Sequence, residues 1–447
     1  MNKWYYALAI SILAFSSCSK EDDIPPVTSF ITTSEFTSYA GDDIEIKLAN
    51  FDTNKQRLLL NGKEITNYTV TESNAQSTTL TFALPAKIGS GNLSVTDGTT
   101  TITGPKVNYQ KQYVRLYLSG YGFGYNLTGF KDDKMVSWDF LGKKLNTLRL
   151  ISVSVEQQSL VACSFGMKSN SITLTGPTSG RYDRLSGIVG DPSGKVHFFQ
   201  NIVESGVTKS HLFTSDFATT NEYAGGVATG QSTWISDLKL DSKQNLYAVE
   251  YQAPYVKRIT TTNVSVFAGS AATGHIDASG ADARFTSITG LAVDKSDNVF
   301  VSDGNCVRMI TPAGSVSTLT GGVDAGDKTG LAEEARFNRI AAIAMSSDGT
   351  LYLLDNDNGK MKTLSADRKT VTTIKVAGNP DIKGASDDFN IHLTVDSKSN
   401  IYYLVKSAPT KGVSLIALIN EDNVSEEVLT TARKNSNGVD GKLVIEN

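Results

Sequence analysis

Cysteine is scarce in this chain of 447 residues, which contains Cys18, Cys163 and Cys306 and no others. No two of them have the CxxC spacing of a metal or redox motif. Cys163 and Cys306 lie far apart in the sequence, and a disulfide between them would require an oxidising compartment. We expect instead that both are buried free thiols, because an unpaired cysteine behaves as a small apolar residue.

Clustered positive charge and long apolar runs are also missing. The chain has 42 lysine and arginine residues against 46 aspartate and glutamate residues, a net charge of −4, and no block of basic residues stands out. The composition therefore argues against nucleic-acid binding by a basic face. After Phe15 no apolar segment reaches the roughly 20 residues that a membrane-spanning helix needs. No transmembrane helix is expected beyond that point.

Histidine is rare as well, and the four histidines are His197, His211, His275 and His392. No two of them have a metal-ligand spacing such as HExxH. The sequence also shows no Ser-His-Asp order and no phosphate-binding loop. It therefore predicts neither a metal nor a cofactor.

The first residues do carry a recognisable pattern. Lys3 supplies a positive charge, and Trp4–Phe15 is a mostly apolar run. This run is too short to cross a bilayer as a helix, and it has the character of the apolar region of a secretory signal peptide. The small residues Ser16 and Ser17 then precede Cys18.

This Ser-Ser-Cys arrangement resembles a bacterial lipobox, although Phe15 stands where the pattern usually has leucine. The resemblance implies that residues 1–17 are a signal peptide and that Cys18 is lipidated as the first mature residue; an ordinary signal peptide is the alternative. Residues 18–26 are an acidic tether, and Ser19–Asp23 resembles the export signal of Bacteroides-type surface lipoproteins. That likeness implies a lipid-anchored outer-membrane protein facing the cell exterior, whereas a plain solvated tether is the other interpretation.

The chain after Pro25-Pro26 is rich in short apolar stretches that alternate with polar residues, a pattern typical of all-β proteins. The clearest stretches are "DIEIKLANF" (Asp43–Phe51), "RLLLNGKEI" (Arg57–Ile65), "TTLTFALP" (Thr78–Pro85) and "GSGNLSVTDG" (Gly89–Gly98). Several such strands in so short a segment predict an immunoglobulin-like sandwich. Their glycine, asparagine and proline landmarks resemble an IPT/TIG domain over residues 27–109, which implies a spacer or interaction module.

Beyond Tyr109 the chain repeats a unit of strand, tight polar turn and strand. The copies are "GIVGDPSGKVHFF" (Gly187–Phe199), "DLKLDSKQNLYAV" (Asp237–Val249), "GLAVDKSDNVFVS" (Gly290–Ser302), "AIAMSSDGTLYLL" (Ala342–Leu354) and "HLTVDSKSNIYYL" (His392–Leu404). A period of roughly 50 residues with about four strands per unit predicts the blades of a β-propeller.

The repeat over Ala281–Gly321 resembles the NHL repeat, and the following unit repeats most of it. Asn146–Gly176 reads as a degenerate unit before the five clear ones, so residues 110–447 are predicted to form a six-bladed NHL-type propeller, with seven blades as the alternative. An open ring would leave strand edges unpaired. We expect either Tyr113–Gly120 or the terminal Lys442–Asn447 to close it by joining the sheet at the other end.

The loops that lead into the first strand of each repeat, called lead-in loops below, carry a recurrent arginine followed by an aromatic residue. The pairs are Arg181–Tyr182, Arg284–Phe285 and Arg336–Phe337. The phenylalanines are expected in the core between blades. The arginines either tie neighbouring blades through an aspartate or contact a ligand, since function is often placed on loops held by a rigid scaffold.

Aromatic residues that interrupt the repeat are the better candidates for function. Trp234 lies in a lead-in loop and Tyr251 in an irregular "YQAPY" segment. Aromatic rings stack on the C–H face of a sugar while neighbouring polar groups bond its hydroxyls. The candidate ligand contacts are Trp234, Tyr182, Tyr251, Arg284, Asp303, Arg181 and Arg336.

A propeller enzyme of the lyase or lactonase type would need several histidine, carboxylate or amide groups facing its channel. The predicted first strands are instead mainly apolar, and the sequence favours a non-catalytic binding protein. An IPT/TIG domain and NHL repeats behind a surface-lipoprotein signal resemble products of polysaccharide-utilisation systems. That implies capture of a glycan near an outer-membrane transporter complex. A propeller enzyme and a protein–protein scaffold remain the alternatives.

Overall fold

The structure is a computed structural model. It describes residues 27–74, 76–118, 123–139, 144–156, 160–171, 185–204, 207–223, 235–250, 253–378, 382, 391–406, 413–434 and 439–445. The predicted signal peptide and the predicted tether with Cys18 lie outside these residues. The chain divides into two compact units, Met1–Gln110 and Lys111–Asn447. Among the described residues no helix has the length and apolar character needed to cross a membrane.

The first unit consists of short strands in two sheets. Its strands are β1 (Ser29–Phe30), β2 (Phe36–Tyr39), β3 (Asp43–Ala49), β4 (Arg57–Leu60), β5 (Lys63–Glu64), β6 (Tyr68–Ser73), β7 (Thr78–Ala83), β8 (Gly91–Thr96) and β9 (Thr101–Gln110). One sheet has the order β1-β3-β7-β6 and the other β2-β9-β8-β4-β5. Apart from the parallel pair of β2 and β9, the pairings are antiparallel.

Alternation along the strands builds the core of this unit. In β3, Ile44, Ile46 and Leu48 are buried while the residues between them are more exposed. These side chains join one apolar cluster with residues from both sheets. Asn61 and Gly62, between β4 and β5, both have positive φ angles, 52° and 74°, as a two-residue hairpin of this kind requires.

The second unit is also built from strands. They are β10 (Gln112–Leu118), β11 (Phe123–Phe130), β12 (Lys134–Asp139), β13 (Lys144–Glu156), β14 (Leu160–Ser171), β15 (Leu185–Gly190), β16 (Val196–Glu204), β17 (Val207–Ser215), β18 (Thr220–Glu222), β19 (Ile235–Leu240), β20 (Leu246–Glu250), β21 (Tyr255–Ile259), β22 (Val264–Gly269), β23 (Ile288–Val293), β24 (Val299–Asp303), β25 (Cys306–Ile310), β26 (Val316–Gly321), β27 (Gly330–Leu331), β28 (Ile340–Met345), β29 (Leu351–Asp355), β30 (Lys360–Leu364), β31 (Thr370–Thr373), β32 (Lys375–Val376), β33 (Leu393–Val395), β34 (Ile401–Lys406), β35 (Val413–Asn420) and β36 (Val439–Ile445).

Helical structure in the described part of this unit is brief. It comprises the α-helix α1 (Glu426–Arg433) and the 3-10 turns Lys131–Asp133, Gly280–Asp282 and Glu421–Asn423. Helix α1 begins at Ser425, whose hydroxyl accepts a hydrogen bond from the backbone N–H of Val428. Such a cap satisfies one of the free N–H groups at a helix start.

The strands of the second unit form successive antiparallel sheets in chain order. Complete sheets have the orders β15-β16-β17-β18, β19-β20-β21-β22 and β23-β24-β25-β26, and β28 to β31 form another with β27 at its edge. We name each sheet by its first strand. The first strands β11, β15, β19, β23, β28 and β33 each pack against the next, and β33 also packs against β11. Sheets arranged around a closed ring of first strands are the architecture of a β-propeller.

Both segments expected to close the ring lie in the sheet that joins its ends. Strand β10 pairs antiparallel with β35 and is the outer strand of the β33 sheet. Strand β36, which contains Lys442–Ile445 of the predicted terminal segment, lies parallel to both β10 and β14. It therefore connects the outer strands of the last and first sheets.

The tight turn after each first strand explains the repeated aspartate. Asp241 Oδ1 accepts the backbone N–H groups of Lys243 and Asn245, at 2.9 and 2.8 Å, and Asp396 makes the same bonds to Lys398 and Asn400. A short carboxylate side chain that bonds its own turn is a common stabilising device. The repeated aspartates are therefore scaffold residues.

The close approach of the first strands β15 and β19 requires a glycine at position 187. Gly187 lies at a bulge between β15 and β16, with a φ angle of 54°. A Cβ atom at this position would come within 2.4 Å of Ile235 Cγ2 on the neighbouring first strand. Both the backbone conformation and the space exclude a larger residue.

Candidate functional site

The residues singled out in the sequence divide into two groups. Cys18, Arg181, Tyr182, Trp234 and Tyr251 lie outside the described residues, so their roles remain predictions. Arg284, Arg336 and Asp303 are described, and their contacts can be stated. These three lie on the face of the propeller that carries the lead-in loops, called the lead-in face.

Arg284 and Arg336 stabilise their own loops. Arg284 Nη1 donates to the backbone carbonyls of Ala281 and Ala283, and Arg336 Nη1 bonds the corresponding carbonyls of Glu333 and Ala335. Among the described residues, both arginines bond these carbonyls, and neither bonds an aspartate of a neighbouring sheet as expected. The reason is local, because the carbonyls of the preceding turn lie within reach of the guanidinium and need donors.

The phenylalanines that follow these arginines are fully buried, which confirms the predicted role in the core between sheets. Phe285 packs with Val249 of the β19 sheet and Leu291 of the β23 sheet. Phe337 packs in the same way with Phe300 and Ile343, which belong to the β23 and β28 sheets.

Asp303 ends β24 and organises a buried ionic network. Its Oδ1 accepts the backbone N–H groups of Thr286 and Ser287, at 2.7 and 2.8 Å. Its Oδ2 lies 3.1 Å from Nη1 of Arg308, and both side chains are fully buried. Arg308 also reaches Asp277 at 2.7 Å and stacks on Phe285, 4.6 Å from the ring centroid.

The β28 sheet contains an equivalent network with one difference. Lys362 takes the place of Arg308 and contacts Asp355 at 2.7 Å and Asp327 at 2.9 Å. Asp327 also forms an ion pair with Lys360. Two carboxylates therefore meet two ammonium groups, and the charges balance.

In the β23 sheet, the Asp327–Lys360 ion pair is replaced by His275 and Cys306. Cys306, like Lys360, is the first residue of the third strand. His275, like Asp327, follows a glycine whose N–H bonds the carbonyl of the buried phenylalanine. His275 Nδ1 lies 3.8 Å from Cys306 Sγ and 4.0 Å from Asp303 Oδ2. In the described part of the chain, this is the one group of histidine, cysteine and carboxylate ligands close enough to share a metal ion.

Cys306 is a buried free thiol, as the sequence predicts, while the side chain of Cys163 lies outside the described part. Burial and the nearby Asp303 carboxylate raise the pKa of the Cys306 thiol to about 12. The thiol is therefore neutral at physiological pH when nothing is bound to it.

A second unusual group lies in the channel enclosed by the first strands. Asp237 and His392 occupy the same place in the repeat, four residues before the turn residue, where other copies have Gly187, Gly290 and Ala342. Both are buried, at 6% exposure each. Asp237 accepts the backbone N–H of Leu291 on the next first strand, at 2.7 Å.

Lys239 completes this group, with Nζ 2.5 Å from Asp237 Oδ1. Burial lowers the pKa of His392 to about 4; the positive charge of Lys239 also lowers it, and the negative charge of Asp237 opposes the shift. The imidazole is thus neutral, buried and within electrostatic range of both charged groups. The first strands are accordingly less apolar than the sequence patterns suggest.

A cavity of about 780 Å³ opens where the first strands end, on the face that carries the tight turns. We call this the turn face. Polar side chains from the β19, β23 and β28 sheets line it, among them Lys239, Ser242, Lys295, Asp348 and Arg368, and the β15 sheet contributes Val189, Gly190 and Pro192. The cavity thus offers amine, hydroxyl, carboxylate and guanidinium groups to one ligand.

Two signals in the sequence could have revealed these groups. Alignment of the repeats on their turn aspartates places Asp237 and His392 in positions where other copies have small residues. Alignment on the buried phenylalanines places His275 where the next copy has Asp327, and Cys306 matches Lys360 once the next copy's loop, two residues longer, is allowed for. Residues that depart from the repeat are the ones that the scaffold alone does not explain.

No protein-family model and no curated protein matches this sequence. A structural genomics protein of unknown function from Bacteroides thetaiotaomicron VPI-5482 is similar at 16% identity over 89% of this chain and 99% of that chain, with a TM-score of 0.44. Virginiamycin B lyase from Staphylococcus aureus is similar at 13% identity over 85% and 100% of the two chains, with a TM-score of 0.36. A putative oxidoreductase (glucose dehydrogenase) from Thermus thermophilus is 12% identical over 68% and 98%, with a TM-score of 0.40. Likenesses this weak carry no argument about function.

Proposed function

We propose that this chain is a lipid-anchored protein of the outer-membrane surface whose propeller binds an oligosaccharide. The signal pattern that ends at Cys18 supports the anchor, and the acidic tether supports display on the cell exterior. An outer-membrane transporter complex is the proposed acceptor of the captured glycan. Cys18→Ala should move the protein from membrane to soluble fractions, and equal retention of the variant would contradict the anchor.

The same proposal assigns six blades of the NHL type to the second unit. Its support is the ring of first strands, in which β33 contacts β11 as well as β28. Strands β11 to β14 are then one blade and strands β33 to β35 with β10 another, and β36 connects the two in one continuous sheet. The two-sheet sandwich of the first unit supports the assignment of an IPT/TIG spacer.

The observation that carries the binding function is the cavity on the turn face. Its volume of about 780 Å³ falls within the roughly 300–1,000 Å³ of small-molecule sites. Its many hydrogen-bonding groups suit a ligand rich in hydroxyls, because every polar group that is desolvated on binding needs a partner. The proposed ligand would then lie on the face opposite to the predicted Trp234 site, which stays a separate prediction.

A glycan-binding screen of the chain tests the proposal, with Lys295→Ala as the informative variant. Lys295 lines the cavity and is exposed. Loss of one hydrogen bond from a charged group costs about 1.5–3 kcal/mol, so affinity for the best glycan should fall about tenfold or more. Lys369→Ala is the matched control, because Lys369 is an exposed lysine that does not line the cavity. Equal effects of the two variants, or no glycan bound at all, would contradict the proposal.

A second candidate function is catalysis in the channel, and the Asp237–Lys239–His392 group favours it. A buried neutral imidazole beside an ammonium and a carboxylate is the kind of perturbed group found at active sites. In this role, the imidazole of His392 would accept a proton from a substrate that enters the channel from the turn face. Incubation of the bound glycan with wild-type protein and with His392→Asn, followed by chromatography, separates the two functions. New products from the wild type alone would establish an enzyme, whereas unchanged glycan would leave a binding protein.

A further inference from the structure

We propose that His275, Cys306 and Asp303 form a binding site for a thiophilic divalent cation of the Zn²⁺ class. The site lies on the lead-in face and is independent of the proposed glycan cavity. Imidazole nitrogen, cysteine sulfur and carboxylate oxygen are the ligands that zinc takes in proteins. Three protein ligands leave the fourth tetrahedral position open to water or an exogenous ligand.

The hydrogen bonds of His275 determine which of its ring atoms is available. Thr318 Oγ1 donates to Asp277 Oδ1 at 3.1 Å, because a carboxylate oxygen can only accept. The contact of 3.3 Å between Thr318 Oγ1 and His275 Nε2 then requires that Nε2 carries the proton and donates it. In the tautomer with the proton on Nε2, Nδ1 presents its lone pair toward Cys306 and Asp303. A hydrogen bond on the far ring nitrogen is how proteins orient a metal-binding histidine.

Three potential ligand atoms thus converge, and the carboxylate oxygen among them, Asp303 Oδ2, also accepts a hydrogen bond from Arg308 Nη1. The Nδ1 lone pair faces Asp303 Oδ2 at 4.0 Å and Cys306 Sγ at 3.8 Å. The Cys306 S–H donates elsewhere, to the backbone carbonyl of Asp303 at 3.1 Å. The His275 nitrogen, the Asp303 oxygen and the Cys306 sulfur could therefore all bind one cation placed between them.

The distances from His275 Nδ1 to Cys306 Sγ and Asp303 Oδ2 need to shorten only slightly for the three atoms to bind one ion. Tetrahedral zinc with bonds of about 2.0–2.3 Å holds its ligand atoms about 3.3–3.8 Å apart. The side chain of His275 is 28% exposed, so a route from solvent exists. Small rotations of His275 and Cys306 would close the difference, while Asp303 stays fixed by two backbone N–H groups.

The charge of the cluster also favours a cation. In the β28 sheet, Asp327 and Asp355 are balanced by Lys360 and Lys362. In the β23 sheet, Arg308 alone faces two carboxylates, because Cys306 stands where Lys360 would supply the second positive charge. A bound cation would occupy the place of that missing ammonium group. Binding replaces the Cys306 S–H bond with a metal–sulfur bond and releases the proton to water.

The decisive variant installs the ion pair of the neighbouring sheet. His275→Asp combined with Cys306→Lys removes both ligands and installs the Asp–Lys pair of the β28 sheet, while the net charge of the cluster stays unchanged. Full-length protein purified without a histidine tag and treated with chelator is titrated with Zn²⁺ and with Co²⁺ as a spectroscopic probe. We expect one ion per wild-type chain, with a thiolate-to-cobalt charge-transfer band, and loss of both in the double variant. Cys163→Ser is the matched thiol control and should keep the ion.

A subtler variant tests the orientation of the histidine. Thr318→Val removes the hydroxyl that bonds Nε2 and should weaken the metal affinity about 10–100-fold, as loss of such outer partners does in other sites. Absence of a bound ion in the wild type would overturn the proposal. So would binding of equal affinity by the double variant. If the double variant does not fold, Thr318→Val and His275→Ala decide the matter by the same titration.

Discussion

Ser397 donates its backbone N–H and its hydroxyl to the carboxylate of Asp133, at 3.0 and 2.7 Å. Ser242 makes the same two bonds to Asp297, at 2.8 and 2.9 Å. The second pair joins the β19 sheet to its neighbour, the β23 sheet. The first pair therefore shows the β33 sheet meeting the β11 sheet as ordinary neighbours, across the junction of the chain ends.

Removal of either carboxylate should have the same consequence. Asp133 and Asp297 both have positive φ angles, 56° and 62°, so substitution by glycine removes the carboxylate without adding backbone strain. We expect Asp133→Gly and Asp297→Gly each to lower the free energy of unfolding by about 1–2 kcal/mol, because the lost hydrogen bonds are to a charged group. Urea unfolding measures both. A cost at Asp297 with none at Asp133 would mean that the ring junction is not equivalent to the others.

The terminal strand should be needed for the stability of the second unit. Deletion of residues 442–447 removes most of β36 and its parallel pairing with β14. The backbone groups of β14 that it bonded would then form a free edge, which costs stability and invites association between chains. We expect a lower melting temperature and increased aggregation on heating. A deletion that melts like the intact chain would show that β10 alone closes the ring.

Arg308 should be far more important for stability than the predicted ligand contacts Arg284 and Arg336. Its guanidinium is fully buried between Asp303 and Asp277, and its removal leaves the buried Asp303 carboxylate unpaired. Loss of one partner of a buried pair costs about 3–5 kcal/mol, and Arg308→Met should approach that value. Arg284→Ala, which breaks only bonds to its own loop, should cost much less. Similar unfolding midpoints for the two variants would contradict the network.

His392 should make stability depend on pH in a defined window. Its folded-state pKa of about 4 lies below the value of about 6.5 in an unfolded chain, so the unfolded state takes up the proton first as the pH falls. The stabilisation is complete above about pH 6.5 and is lost progressively down to about pH 4, a total of about 3 kcal/mol. His392→Gln cannot titrate there, so its stability should fall less over this range than that of the wild type. Equal losses of stability in the wild type and His392→Gln over this pH range would show that His392 is not held neutral.

The sequence predicts much of the scaffold because repetition reveals it. The turn aspartates, the buried phenylalanines such as Phe285 and the alternation in β3 each follow from local chemistry applied to a repeated pattern. The sequence could not decide between the two closing segments, because both have the pattern of apolar strands. In the structure both take part, since β10 pairs antiparallel with β35 and β36 lies between β10 and β14.

The candidate sites were harder to predict for a physical reason. Asp237 and His392 come from distant repeats, and only the closed ring brings both into one channel. His275 and Cys306 are separated by a lead-in loop and two strands, and their proximity depends on the fold of that loop over the third strand. The bonds of the repeated arginines to backbone carbonyls could not be predicted, because such bonds leave no trace in the sequence.

The central claim, that the propeller binds a glycan in the turn-face cavity, is tested most directly by calorimetric titration. The glycan that binds best in the screen is titrated into wild-type protein, Lys295→Ala and Trp234→Ala. We expect Lys295→Ala to weaken binding about tenfold or more, with Trp234→Ala close to the wild type. Binding that is lost with Trp234→Ala and unchanged with Lys295→Ala would contradict this account and place the ligand on the lead-in face.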